Sequence, residues 1–302
     1  MSSRYIKGRN VNLLVDGEVI AASTNCSFSL TANTSDSASK SDEGNGMWDN
    51  PEFTFYDWSA SNESFVVSIA HLQTLLRKVV VENATVFVTF QATETGICYA
   101  ADAIITQLQL SAPNGDNVKL SLSFDGSSPL TVTGEQETTT ITAARLRGKA
   151  LMLAMQGEDG YYHTLMASTT HSLTISVQTA DVSTKDNNDK SCHKQVTGKS
   201  ISLNTENLLT VAPSADDVTG VHASKLIDDV MQGKTLKMSL GYYEDSIGAS
   251  AGADGDWKTG EPLLVFGDFI CTSLQINGAN KENATYSAEF QGKAMPQIGE
   301  AL

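Results

Sequence analysis

The sequence predicts a mainly β protein made of two tandem antiparallel β-sandwich or barrel domains, each with one flanking α-helix. Three observations support this fold class. The chain carries a long internal repeat, apolar residues alternate with polar ones along much of it, and leucines at helical spacing occur once in each half. A length of 302 residues suits two domains of about 150 residues better than one core.

The repeat is clearest near the end of each half. Asp102–Gly126 and Asp268–Gly292 align without a gap at an offset of 166, with 10 of 25 positions identical. Ala22–Lys40 and Ala167–Lys185 align in the same way at an offset of 145. A duplicated domain fused head to tail has built-in pseudo-symmetry, which favours assembly over catalysis.

These offsets set the expected domain boundaries. We predict a first domain at 1–126, an ordered linker at 127–147 and a second domain at 148–302. The linker is rich in threonine rather than in glycine and serine, so it favours an ordered, β-prone connection that fixes the two halves relative to each other.

Strands are predicted wherever apolar residues recur at every second position. A β-hairpin closes each domain, because the turns 112–117 and 278–283 are rich in asparagine and glycine. The inward-facing rows, given as pairs of equivalent segments, are Cys26–Ala32 with His171–Val177, Val86–Phe90 with Leu236–Leu240, Ile104–Leu110 with Ile270–Ile276, and Val118–Phe124 with Ala284–Phe290.

One helix is predicted in each domain. In the first domain, leucines at helical spacing follow Ser68. In the second, a similar run follows Ser224 and ends before Gly233, a residue typical of helix C-termini. The domains differ in their loops. Both have long polar stretches, at 36–57 and 181–200, and only the second has an insertion at 246–261.

The net charge of the chain argues against tight binding of nucleic acid. The formal net charge is −15, and it divides into −7 for residues 1–147 (9 basic, 16 acidic) and −8 for the rest (11 basic, 19 acidic). Nucleic-acid binding needs clustered lysine and arginine. We therefore expect DNA to meet an acidic wall and slide. We expect no membrane partner, because no apolar run approaches the roughly 20 residues of a membrane helix.

No catalytic, cofactor-binding or metal-binding residues are predicted. Gly248–Gly252 fits the pattern of a hydrolase nucleophile, but neither strand nor helix flanks it to form the required elbow. The acidic runs lack calcium-loop spacing, and the four cysteines show no disulfide framework. The histidines do not cluster: His71, His163, His171, His193 and His222.

An aromatic segment is the main candidate for a contact surface. The aromatic segment, residues 47–58, carries five large aromatic residues, and the equivalent loop of the second half lacks them. One interpretation is a strand packed on its own core, and the other is a patch that docks on a neighbouring subunit. The predicted assembly residues are Trp48, Phe53, Phe55, Tyr56 and Trp58, together with the basic pairs Lys7/Arg9 and Arg147/Lys149, each of which flanks a glycine.

The closing segment resembles the C-terminal hairpin of the major tail tube proteins of long-tailed bacteriophages. An aspartate, a strand with a Thr-x-Leu-Gln core, an asparagine-rich turn and a strand ending in aromatic-x-Gly occur at Asp102–Gly126 and again at Asp268–Gly292. The opening, a basic-Gly-basic triplet followed by the strand Val11–Val15, is similar to the start of those proteins.

The resemblance implies a structural virion protein. In that family, sheets join between subunits into an inner barrel, six domains make a ring, and rings stack into a tube that conducts DNA. Three duplicated chains would make a homotrimeric ring with pseudo-sixfold symmetry, and the long loops would be arms that reach the adjacent ring. The implied partners are other copies of the chain and the tape measure, tail terminator and distal tail proteins. The implied location is the virion tail, assembled in the host cytoplasm.

Two alternatives stay open at this stage. On the same fold, the chain could form the inner tube of a contractile or secretion-type injection machine. In a different class, it could be a tandem β-sandwich binding module such as an adhesin or glycan binder, an interpretation that the aromatic segment favours.

Overall fold

The computed structural model describes residues 7–20, 22–36, 51–92, 97–134, 145–165, 167–184, 189–210, 221, 223–242, 256–257 and 263–299. Within these ranges the protein is mainly β, as predicted, with antiparallel strand pairing and two α-helices. All the strands belong to one connected sheet.

In its described residues, the first repeat places eight strands and one helix along the chain. Its strands pair in the order β2-β1-β5-β6-β7-β4-β3, and β8 also pairs with β6. The elements are β1 (Val11–Val15), β2 (Glu18–Val19), β3 (Ser23–Asp36), β4 (Pro51–Phe65), α1 (Ile69–Val80), β5 (Thr85–Ala92), β6 (Ile97–Pro113), β7 (Lys119–Gly126) and β8 (Thr131–Thr133).

The second repeat has the same order of pairing, β10-β9-β13-β15-β16-β12-β11, with β17 also pairing with β15. One short strand, β14, is additional and pairs with β10. The elements are β9 (Leu151–Gln156), β10 (Tyr162–Thr164), β11 (Ser168–Asp181), β12 (Lys194–Leu208), α2 (Ala223–Met231), β13 (Leu236–Tyr242), β14 (Asp256–Trp257), β15 (Leu263–Asn277), β16 (Thr285–Gly292) and β17 (Gln297–Ile298).

The repeats agree down to their irregularities. The β6–β7 pair has a register shift between Ile105 and Gln107, and the β15–β16 pair has one between Cys271 and Ser273, at the sequence offset of 166. A β-bulge adds a residue and bends a strand, so its retention in both copies shows that the strands curve in the same way.

The helices begin and end near the residues that the sequence indicates. The Ser68 side chain accepts a hydrogen bond from the His71 backbone N–H and caps α1. Gly233, with a φ of +62°, follows the end of α2 in the left-handed conformation that glycine adopts without strain. The apolar faces of both helices join one large hydrophobic cluster that draws on strands of both repeats.

The connection between the repeats is tied down at both ends. Its first part contains β8, and near its end Leu146 accepts a hydrogen bond from Val118 and donates one to Val66. Residues 135–144 lie outside the described ranges.

Candidate assembly surface

A strand of the second repeat extends the sheet of the first. Strand β11 pairs in antiparallel register with the last part of β6, from Thr170 opposite Pro113 to Ser176 opposite Gln107. We call this pairing the internal seam. It uses the side of β6 that faces β5 earlier in the strand, because β7 occupies the other side along 103–111.

The internal seam has a defined hydrogen-bonding phase. The Asn114 N–H donates to the Thr169 carbonyl at 2.8 Å, so alternate residues of β11 from Thr169 onward direct their backbone groups toward β6. Ile175 is one of these residues. Pro113 falls at a position between such pairs, where its missing N–H costs no ladder bond.

Each strand of the internal seam has a counterpart in the other repeat. Among the described residues, the matching edge of that counterpart pairs with no strand. Strand β3 is the equivalent of β11 and, among the described residues, pairs only with β4. The end of β15 is the equivalent of the end of β6, and in the described chain residues 273–277 pair only with β16. We call these two stretches the open edges.

The open edges expose apolar residues whose equivalents are buried at the internal seam. Two pairs show this, each given as exposed residue and then buried equivalent: Leu30 at 58% and Ile175 at 1%, and Ile276 at 48% and Leu110 at 1%. Both members of each pair are apolar, so the sequence at the open edges fits a buried environment that the lone chain does not supply.

The aromatic segment is divided between core and surface. Trp58 is buried, stacks on Phe28, and donates from its indole N–H to the Ser128 carbonyl at 3.0 Å. Tyr56 is half-buried, and its hydroxyl accepts from the Leu130 N–H. Phe55 is half-buried and Phe53 is exposed. Trp48 lies outside the described residues.

The polar stretch before β12 packs on the first repeat of its own chain. The Tyr56 N–H donates to the Lys190 carbonyl at 2.9 Å, and the Cys192 N–H donates to the Tyr56 carbonyl at 3.1 Å. The Lys194 ammonium lies 3.5 Å from the Asp57 carboxylate and 3.3 Å from that of Asp125. Residues 189–194 thus hold the two repeats together, while residues 185–188 of the same stretch lie outside the described ranges and their reach to an adjacent ring stays a prediction. The equivalent stretch 37–50 lies outside the described ranges.

The basic residues around the two glycines occupy different surroundings. Arg147 and Lys149 line a surface cavity of about 370 Å³ together with the β6–β7 turn, residues 114–117. Lys7 is exposed, and the side chain of Arg9 lies outside the description.

The sheet face opposite the core is polar and acidic; we call it the polar face. In β7, for example, Leu120, Leu122 and Phe124 are buried while the serines between them face outward. Where the chain is described, the face carries five carboxylates and two lysines, and it consists largely of serine, threonine, asparagine and glutamine. The charged residues are Asp57, Glu63, Asp125, Glu206, Glu289, Lys119 and Lys194. Burial opposes the charge of Lys194, but the carboxylates of Asp125 and Asp57 outweigh it and raise the lysine pKa.

The described residues form no group suited to metal binding. No three histidine, cysteine, aspartate or glutamate side chains come together among them. Three of the histidines there sit beside single carboxylates: His71 beside Glu18, His163 beside Asp159 and His193 beside Asp189. Ser250 and His222 lie outside the described residues. Neither described helix is long and apolar enough to cross a membrane.

No protein-family model and no curated protein matches the sequence. Solved structures that are similar to half of the chain include two of tail-bearing particles. One is titled "Virion of native gene transfer agent (GTA) particle", with a TM-score of 0.38, and the other "Tail of empty GTA particle computed with helical refinement, C6 symmetry", with a TM-score of 0.37. Each is 13% identical and covers 51% of this chain and 98% of its own. At TM-scores below 0.5, neither likeness establishes a shared fold or function.

Proposed function

We propose that this protein is a non-enzymatic structural protein of a phage tail, in which chains close into rings and rings stack into the tube that conducts DNA. The observation that carries the proposal is the internal seam, because each of its strands has a counterpart on the same chain with one edge that pairs with no other described strand. A chain with two complementary ends joins head to tail with copies of itself, and such heterologous contacts make a ring when the rotation closes.

The resemblance to tail tube proteins supplies the number of chains. Six domains make a ring in that family, and this chain contains two repeats, so three chains make one ring with pseudo-sixfold symmetry. The open β3 edge of each chain pairs with the open β15 edge of the next, and the ring then alternates internal seams with seams between chains.

Burial at the open edges supplies the driving force. Leu30 and Ile276 are about half exposed in the lone chain, and burying the rest of each side chain contributes part of the roughly 1.5–3 kcal/mol that full burial gives. Pairing also removes two exposed strand edges, which would otherwise template aggregation.

The polar face lines the channel in this arrangement, because the opposite face packs on the core and on both helices. Its carboxylates repel DNA phosphates, while its hydroxyls and amides keep the wall wetted. DNA therefore passes without stable binding, in agreement with the net charge of −15.

Two alternative functions make different predictions. A binding module would present the aromatic segment to a ligand, yet the Trp58 indole is buried in its own repeat. The inner tube of a contractile or secretion-type machine would use the same ring, and a neighbouring sheath gene would favour it. Assembly would take place in the host cytoplasm with the tape measure, tail terminator and distal tail proteins.

Negative-stain electron microscopy of the concentrated protein tests the proposal. We expect rings with six lobes, alone or stacked, and a ring mass of about 97 kDa, three times 32.2 kDa. A preparation that stays monomeric at every concentration, with no rings or tubes, would refute the proposal.

A further inference from the structure

The two basic-Gly-basic segments have the same backbone conformation but different surroundings. Each forms a single 3-10 turn, at Gly8–Asn10 and Gly148–Ala150, and the preceding residues Lys7 and Arg147 have φ/ψ of −81°/138° and −83°/142°. Gly148 is buried, whereas Gly8 is exposed.

The second segment clasps the β6–β7 turn. The Gly148 N–H donates to the Asp116 carbonyl at 2.7 Å, and Arg147 forms an antiparallel bridge with Asn117. A Cβ on Gly148 would lie 1.9 Å from the Pro113 carbonyl oxygen, so only glycine fits this contact. The clasp lies directly beyond the internal seam, which ends at Pro113.

The β15–β16 turn has the same shape as the turn held in this clasp. The Asp116 N–H donates to the Pro113 carbonyl at 3.4 Å, and the equivalent Glu282 N–H donates to the Ala279 carbonyl at 3.3 Å. Gly115 and its equivalent, Lys281, both have positive φ, at +95° and +74°. A lysine in that conformation is strained. The second turn keeps the shape despite this strain, which indicates that the shape matters.

Among the described residues of the lone chain, no turn packs against the first segment in this way. A Cβ added at Gly8 would meet no atom within 4 Å. Its glycine therefore has no steric reason among the described residues, although the equivalent glycine has a strict one.

We propose that Lys7–Asn10 of one chain clasps the β15–β16 turn of the next chain. This inference rests on the proposed ring and names a second contact beside the paired strands. By equivalence, the Gly8 N–H donates to the Glu282 carbonyl of the neighbouring chain, the Ala279 carbonyl packs against Gly8, and Lys7 bridges Asn283. Lys7 then lies next to an acidic residue of the neighbouring chain, Glu282, in the same way that Arg147 lies next to Asp116.

Gly8→Ala tests the clasp, because its methyl group meets open space in the lone chain and a carbonyl oxygen only in the ring. We expect the variant to keep the far-UV circular dichroism and melting temperature of the wild-type monomer. We expect the concentration for half-assembly, measured by sedimentation velocity, to rise at least tenfold. Gly134→Ala is the matched control, because Gly134 also has open space around it, and it should assemble like the wild type.

A cross-link supplies a second readout that does not depend on how Gly8→Ala folds. Chains carrying Lys7→Cys are mixed with chains carrying Asn283→Cys under oxidation. Paired residues in antiparallel strands have Cα atoms about 4.5–5.5 Å apart, within the range for a disulfide. We expect covalent dimers in the mixture and none with either variant alone.

The outcomes separate the clasp from the ring. If the wild type forms rings, but Gly8→Ala assembles equally well and the mixed chains do not cross-link, the clasp is wrong and the proposed function stands. If the wild type forms no rings at any concentration, the proposed function fails and the clasp fails with it.

Discussion

At the residue scale, several side chains that suggest contact with a partner serve the chain itself. Trp58 fills the core beside Gly126, where a Cβ would lie 2.3 Å from the indole nitrogen. The equivalent Gly292 leaves room for Ile201 in the same way, because a Cβ added at Gly292 would lie 2.3 Å from the Ile201 Cγ2. This shared packing explains why aromatic-x-Gly ends both copies of the repeat.

Trp58→Ala should therefore weaken the lone chain. Removing a buried indole leaves a cavity and an unpaired Ser128 carbonyl, so we expect a loss of about 3–5 kcal/mol in the free energy of unfolding. Urea denaturation of the monomer measures it. Phe53→Ala, which removes an exposed ring, is the control and should change that free energy by less than about 1 kcal/mol. Equal effects of the two variants would contradict the assignment of Trp58 to the core.

His171 should make the fold sensitive to acid. Burial lowers its pKa to about 4 from an ordinary 6.5, and its ring lies 3.0 Å from the Thr205 hydroxyl beside the internal seam. Between pH 6.5 and 4, the unfolded chain takes up a proton at this histidine while the folded chain does not. The contribution of neutral His171 to the free energy of unfolding is therefore fully present above pH 6.5 and is lost as the pH falls toward 4. The loss is about 3 kcal/mol.

Comparison with His171→Gln isolates this contribution from that of the carboxylates. We expect the unfolding free energy of the variant to fall less steeply than that of the wild type between pH 6.5 and 4. Parallel curves for the two proteins would show that His171 is not buried in its neutral form.

At the scale of elements, the sequence predicts the strands and helices well and their connections less well. Period-two alternation at Val118–Phe124 and the leucines at helical spacing after Ser68 are local signals, and both are confirmed. The pairing of β6 with β11 joins residues far apart in sequence and has no local signature. The sequence signal for a contact at this place was the pair of basic-Gly-basic triplets. A glycine retained in both copies indicates that another backbone approaches closely.

The open edge of β3 can be tested with a proline at Leu30. By equivalence with Ile175, the Leu30 N–H points away from β4, so proline there costs no hydrogen bond in the lone chain. It removes a donor from the seam between chains and places a ring in the path of the partner strand. We expect the monomer to fold normally and the concentration for half-assembly to rise by at least about tenfold.

Leu30→Thr is the control for this variant, because threonine keeps the N–H and a strong preference for strands. It should assemble at a concentration between those of the wild type and of Leu30→Pro, as measured by sedimentation velocity. Normal assembly of Leu30→Pro would exclude β3 from the contact between chains.

At the scale of the whole molecule, the charge of the polar face sets whether DNA binds to the wall of the proposed tube. Glu206 and Glu289 lie on that face around a surface cavity of about 280 Å³. Tubes of Glu206→Lys/Glu289→Lys should bind duplex DNA at 50 mM salt and release it at 200 mM, because phosphate contacts displace counterions. Wild-type tubes should bind none. Co-sedimentation of DNA with tubes at the two salt concentrations measures both.

A charge-matched variant separates position from net charge. Glu158 and Asp228 are exposed on a turn and on α2, away from the polar face, and Glu158→Lys/Asp228→Lys changes the net charge by the same amount. We expect its tubes to bind less DNA than those of Glu206→Lys/Glu289→Lys. Equal binding would mean that the polar face is not the channel wall.

The central claim is that the chain completes its own sheet with copies of itself, using the register that already joins its two halves. Hydrogen exchange of the backbone amides in 25–31 and 273–277, measured for monomers and for assembled protein, tests it most directly. In the monomer these segments should exchange faster than 170–176 and 107–113, which the internal seam protects. On assembly both should become protected to a similar degree. Assembled protein in which they exchange as fast as in the monomer would contradict the claim.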